Sequence, residues 1–213
     1  MKYDRAPAEN IRSSIAAAVH AACDEVLPGG GLGRCHLVAV AGAAACSWAT
    51  GKRYVPVGGG LRLLIDEPDG WFSMDPTITV TPQLEYHAWV VRLDDRGSPG
   101  VGPICEWVDF SSRHWKRLAA SAMIVAGEYA ASPDACVVVI DNSARILWTV
   151  ADPPWCFWHG GRETPRSVDL IYNAATTRMV IETAAADIAT VSALLDAIAA
   201  ELRRRGLYKY GPS

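Results

Sequence analysis

Glu85-Tyr86-His87-Ala88-Trp89-Val90-Val91 and, further along, Cys105-Glu106-Trp107-Val108-Asp109-Phe110 are two runs dense in aromatic and β-branched residues, the composition of paired strands. Between them, Asp94 to Gly100 carries the Asp, Gly, Ser and Pro of a turn. A hairpin centred on Ser98 sets His87 opposite Asp109 and Trp89 opposite Trp107. Directly opposed residues on antiparallel strands have Cβ atoms about 5 Å apart, so the carboxylate reaches the imidazole and both indoles share their face. Shielded from water by two large rings, the carboxylate holds the imidazole more strongly and fixes one tautomer.

Outward from this hairpin, the periodicity predicts helices before it and a further mixture after it. From Pro7 to Val26, Ile11, Ile15, Val19, Ala22 and Val26 recur at spacings of three and four, one buried stripe of a helix. Pro28 and Gly29-Gly30-Gly31 end it. Cys35 to Ala49, rich in alanine and free of proline, reads as a helix buried on nearly every side. Arg53 to Val57 and Leu61 to Ile65 read as strands separated by a turn at Gly58-Gly59-Gly60, followed by strands at Thr77 to Thr81, Leu84 to Leu93 and Ile104 to Phe110. Ser112 to Tyr129 reads as a helix with Ser111 or Ser112 as its N-cap and His114 on its surface. Cys136 to Ile140 and Arg145 to Val150 form a hairpin, short strands surround Asp169 and Met179, and Ala185 to Arg205 is the last helix. No linker is long enough to divide two cores and no unit repeats. One α+β domain over residues 1–213 is predicted, helices packed on a mostly antiparallel sheet.

Composition narrows the function. The chain has 213 residues, half of them apolar, and a net charge of -3, so no overall positive field recruits nucleic acid or an anionic membrane. Its longest uncharged run, Leu37 to Gly51, has 15 residues, short of the roughly 20 that span a bilayer. The alanine-rich Ser14 to Ala22 imitates a secretory leader only faintly, since Asp4 and Glu9 precede it and His20 interrupts it. A cytoplasmic protein is expected. The six cysteines, at 23, 35, 46, 105, 136 and 156, contain no CxxC pair and read as reduced thiols.

One of those thiols supplies the nucleophile that a carboxylate-braced histidine serves. Cys35 opens the second helix, where unpaired N–H groups and partial positive charge lower a thiol's pKa, and a nearby imidazolium lowers it further. The same N–H groups face the oxyanion of an attacked carbonyl. Cys35 is then nucleophile, His87 general base and acid, and Asp109 orienter. Cys23 and Cys46 lie mid-helix among alanines and read as packing, as does Cys105 on the hairpin.

Gly33-Arg34-Cys35 before an alanine-rich helix, the run Tyr54-Val55-Pro56-Val57, His87-Ala88-Trp89-Val90 and Trp107-Val108-Asp109 together resemble the transglutaminase-like branch of the papain-like thiol enzymes, over about residues 31–112. The resemblance implies a papain-like α+β fold, a Cys35, His87, Asp109 triad, a thioester acyl-enzyme and no cofactor. Members of that branch include peptidases, amidases, protein cross-linkers and, more distantly, arylamine acetyltransferases. A hydrolase or acyltransferase acting on a peptide, protein or small amide is therefore expected, with hydrolysis the default because water is always present. Gln83 and Tyr54 are candidate oxyanion donors, and Trp89, Trp107 and Trp158 candidate walls of the substrate cleft.

Other readings stand beside this one. A groove of Trp89, Trp107 and Trp158 equally suits a catalytically inactive module that binds peptide or protein. Trp155-Cys156-Phe157-Trp158-His159 places a thiol and an imidazole at a spacing a metal can use, but two ligands are too few for a zinc site, so no metal is expected and the segment reads as a loop. The glycines at 29, 30, 31 and 33 are not followed by Gly-Lys-Ser/Thr and form no phosphate loop. Arg203-Arg204-Arg205 reads as the solvated end of a helix.

Overall fold

The stripe that begins at Ile11 builds α1 (Glu9–Val26), which buries Ile15, Val19 and Ala22 completely. A computed structural model describes residues 7–65, 70–74, 86–93, 104–114, 147–150, 155–156 and 167–212. After α1 a 3-10 turn, Pro28–Gly31, carries Gly29 and Gly30 at φ +63° and +65°, a left-handed backbone that suits glycine. α2 (Cys35–Thr50) follows and is buried on most of its circumference. Its small residues let it lie close to the sheet. At Gly42 a Cβ would run into the Phe110 ring and come within 3.3 Å of Val90.

The strands are β1 (Tyr54–Ile65), β2 (Gly70–Met74), β3 (His87–Leu93), β4 (Ile104–Asp109), β5 (Leu147–Val150), β6 (Trp155–Cys156) and β7 (Ser167–Tyr172). They form one sheet in the order β5-β4-β3-β1-β7-β6, with β2 paired to the second half of β1, and every pairing is antiparallel. A second 3-10 turn, Phe110–His114, follows β4, and α3 (Ala174–Ala186) and α4 (Ile188–Arg204) close the fold. The fold is α+β, as the sequence predicts. Its core joins α1, α2 and α4 to Ala88 and Val90 of β3 and Val108 of β4.

Several elements differ from the sequence reading, each for a local reason. Gly58-Gly59-Gly60 is no turn: β1 runs straight through it. Glycine is required there by close approach, because a Cβ on Gly58 would stand 2.7 Å from Val180 and 3.1 Å from the Thr176 carbonyl of α3, and Thr177 Oγ1 accepts from the Gly58 N–H at 3.0 Å. Met179 lies in a helix, not a strand, and that helix starts where the Asn173 side chain accepts from the Thr176 N–H. The last helix, expected from Ala185 to Arg205, spans Ile188–Arg204; Asp187, with ψ 49°, separates it from the preceding helix, to which it is bent by 89°. Trp155 and Cys156 pair with β7 instead of looping. The helix expected from Ser112 begins as the 3-10 turn, and its remainder lies outside the described residues, as do Thr77 to Thr81, Asp94 to Gly100 and Cys136 to Ile140. Among the described residues no single helix is long and apolar enough to cross a membrane; α3 and α4 pass such a test only together, across their bend.

Gly58→Ala should destabilise the protein by about 1–3 kcal/mol, the usual cost of forcing a methyl into a packed contact. Urea denaturation measures it, and an unchanged midpoint would show that α3 lifts off β1 without cost.

Candidate active site

Cys35 is the first helical residue of α2, placed there by the glycine turn that brings the chain back after α1. A helix's first turn leaves N–H groups without intrahelical acceptors. The thiol is part-exposed and donates to the Tyr86 carbonyl at 3.8 Å, which lays it beside the residue preceding His87. The Cys35 and His87 side chains lie close enough for each to shift the other's titration.

His87 begins β3 and Asp109 ends β4. The imidazole Nε2 lies 2.5 Å from Asp109 Oδ2, and neither side chain has any exposure. Asp109 Oδ1 accepts from the Ser111 N–H at 2.7 Å, so the carboxylate is fixed at both oxygens. With Nε2 committed to Asp109, Nδ1 is the ring nitrogen left for the Cys35 sulfur. The Trp89 ring stacks on His87 with centroids 6.0 Å apart, and Trp107 stacks on Trp89 at 5.8 Å.

The expected pairing of His87 directly opposite Asp109 is corrected by the register. Val90 faces Val108, Val91 faces Trp107 and Arg92 faces Glu106, with an irregularity between Arg92 and Leu93. Continued along the strands, this sets Asp109 opposite Trp89 and His87 one diagonal step away. The displacement is two residues, and side chains alternate with period two, so His87, Trp89, Trp107 and Asp109 still share one face. Diagonal neighbours lie within reach of long side chains, and the imidazole spans the gap.

Burial pushes the His87 imidazole down, but the charge and hydrogen bond of Asp109, with the Cys35 thiolate, outweigh it and raise its pKa to about 10. Burial pushes the Cys35 thiol up; hydrogen bonds and positive charge from His36 and His87 more than reverse this and bring it to about 7. Both shifts act in one direction, favouring a thiolate beside an imidazolium.

The other candidates divide. Tyr54 is not an oxyanion donor. Its hydroxyl donates to Glu106 Oε2 at 2.9 Å, Arg92 Nε donates to Glu106 Oε1 at 2.5 Å, and its backbone N–H reaches Ser47 in the last turns of α2. That end of the helix is the far end from Cys35, and the cluster borders a cavity of about 240 Å³ there. Trp89 has no exposure and Trp107 only 8%, so neither walls an open cleft: Trp89 packs against the imidazole and Trp107 against Trp89. Gln83 and Trp158 lie outside the described residues. His114 is not a surface residue but is buried, its Nε2 2.9 Å from the Gly30 carbonyl. Ser111 and Ser112 lie in the 3-10 turn, where Asp109 Oδ1 accepts from the Ser111 N–H and the Asp109 carbonyl accepts from Ser112 Oγ; the helix expected to be capped by them lies outside the described residues. Cys23 and Cys46 are buried free thiols, as expected. Among the described residues no group of three or more His, Cys, Asp or Glu side chains could hold a metal ion.

The sequence reading passed over His36. It follows Cys35 in the first turn of α2, is 8% exposed, and is among the groups that lower the Cys35 pKa. The dipeptide Cys35-His36 was the available signal, a second imidazole placed within one residue of the thiol. Comparison with known proteins gives no match to any protein-family model, curated protein or solved structure.

The raised His87 value predicts that its ring stays protonated through neutral pH and loses its proton near pH 10, visible in ¹⁵N spectra of histidine-labelled protein. In Asp109→Asn, burial acts without the compensating charge, so titration should fall well below that of the parent. A parental His87 titrating near 6.5 would contradict the assigned pairing.

Proposed function

We propose that the chain is a cysteine-dependent acyl-transfer enzyme of the transglutaminase-like kind, acting on an amide of a peptide, a protein or a small molecule. The observation that carries this reading is the buried His87–Asp109 hydrogen bond next to a thiol whose pKa is brought to about 7. A purely structural histidine needs neither a thiol close enough to shift its titration nor a tautomer braced by a buried carboxylate.

The geometry translates into a sequence of steps. Cys35 thiolate adds to the carbonyl carbon, forming a C–S bond, while the carbonyl π electrons move onto oxygen and face the N–H groups at the start of α2. Collapse of this oxyanion breaks the C–N bond, and His87 gives its proton to the departing amine. A thioester on Cys35 remains. His87, now neutral, takes a proton from water or from an acceptor amine as that group attacks the thioester; carboxylic acid or new amide leaves and the thiolate returns. Asp109 holds the ring in one tautomer and stabilises it whenever it is charged.

Site-resolved alkylation tests the resting state. Iodoacetamide should modify Cys35 with a rate rising through about pH 7, while a thiol with an unperturbed value near 9 is still mostly protonated. In His87→Ala the rise should move toward that ordinary range. Intact-mass screening with activated acyl esters should give a stable adduct on the parent and none at this position in Cys35→Ser, and turnover of any substrate so found should fall at least about a thousandfold in Cys35→Ala. A parental Cys35 no more reactive than a free thiol, unaffected by His87→Ala, would overturn the proposal.

A further inference from the structure

Asp24 near the end of α1, Gly30 in the turn before Cys35, and Arg113 and His114 in the turn after Asp109 meet at one point. Arg113 grips Asp24 with both terminal nitrogens, Nη1 to Oδ2 at 3.2 Å and Nη2 to Oδ1 at 2.8 Å. Nη2 also donates to the Gly30 carbonyl, and Nε lies 3.2 Å from His114 Nε2. The Arg113 side chain is only 16% exposed. Behind it, His20 Nε2 lies 3.0 Å from the Phe110 carbonyl, tying α1 to the same turn. The fit is tight on the glycine side: Gly30 sits at φ +65°, and a Cβ there would stand 2.7 Å from Arg113 Nη2.

We propose that Arg113 is a positioning residue for the acyl-transfer site, and this inference rests on the function proposed above. The nucleophile and its base reach the site along separate routes: Cys35 through the glycine turn, His87 and Asp109 on the strand pair. Among the described residues, side chains of the turn after Asp109 span those routes at Gly30. Arg113 does so four residues after Asp109 and five before Cys35 in its contact at Gly30. By holding the Gly30 carbonyl and Asp24 in a planar fork, it sets where α2 starts relative to the carboxylate-braced imidazole. It acts through this geometry and not through its own charge on the sulfur, since the groups that lower the Cys35 value are His36 and His87. A lysine at 113 keeps the charge and loses the fork.

The test is the pH profile of Cys35 alkylation by iodoacetamide in the full-length chain, read by peptide mass, in the parent, Arg113→Met and Arg113→Lys at 25 °C. If the sulfur drifts from the imidazolium, both variants should alkylate about tenfold more slowly than the parent at pH 6, with the same limiting rate at high pH, as a rise of about one unit in the thiol's pKa requires. A role confined to stability lowers the melting temperature and leaves this profile alone, so folded variants with the parental profile overturn the inference. Equal parental behaviour of Arg113→Lys alone also overturns it, since charge would then suffice. Should both variants fail to fold, Asp24→Asn releases one anchor of the fork from an exposed position; about threefold slower alkylation at pH 6 supports the inference and no change overturns it. A parent whose Cys35 is not activated defeats the proposed function itself, an outcome distinct from all of these.

Discussion

The hydrogen bond between His87 and Asp109 is the constraint around which this molecule is arranged. Both groups are out of contact with solvent, and a buried carboxylate or imidazolium alone costs several kcal/mol. Together, with the Ser111 N–H on the second carboxylate oxygen, they satisfy each other. Removing either leaves a buried charge uncompensated, which typically costs 3–5 kcal/mol. The stacked Trp89 and Trp107 rings exclude water from one side of the pair. The Cys35 thiol lies near this pair and shares its electrostatics.

The same two strands carry a second buried ionic cluster, and the contrast is instructive. Alternation sends His87, Trp89, Trp107 and Asp109 to one side, and Ala88, Val90, Val108 with Arg92 and Glu106 to the side packed by α2. Glu106 is satisfied on both oxygens by Tyr54 and Arg92, a closed arrangement whose carboxylate raises the pKa of the buried Cys46 thiol nearby instead of lowering it. The helix is located against both clusters by packing. Phe110 lies against Gly42 in the middle of α2, so the residue after Asp109 fixes the height of the helix whose first residue is Cys35.

How much of this the sequence discloses depends on the range of the forces involved. α1 and α2 are legible because a 3.6-residue period and a glycine-rich stop are local signals, and the triad is legible because strand composition and alternation are too. A register offset by two residues escapes sequence, since it depends on the irregularity near Leu93, but it preserves the face and therefore the chemistry. Gly58 misleads for the opposite reason. Three glycines in a row signal a turn locally, and only the arrival of α3 from over a hundred residues away makes them a strand. Arg113 is equally invisible: nothing in its neighbours announces that Asp24 and Gly30 will be its partners.

Three cysteines in this chain show that position, not residue type, decides reactivity. Cys23, Cys35 and Cys46 all lie in helices among alanines, and burial acts on all three in the same direction, disfavouring the thiolate. At Cys23 the Arg113 guanidinium offsets this only partly, and the thiol is pushed up to about 12. At Cys46 the carboxylate of Glu106 adds to it, and the value rises far above the ordinary range. Cys35 alone of these three has its pKa lowered by two nearby imidazoles, His36 and His87, and there the sign reverses. A guanidinium near Cys23 is a charge at a distance; an imidazolium at Cys35 is a charge that also donates a hydrogen bond and can hand over its proton. Directness of contact accounts for the opposite signs of these shifts, and the Asp109 carboxylate, by raising the His87 pKa, supports the lowering at Cys35.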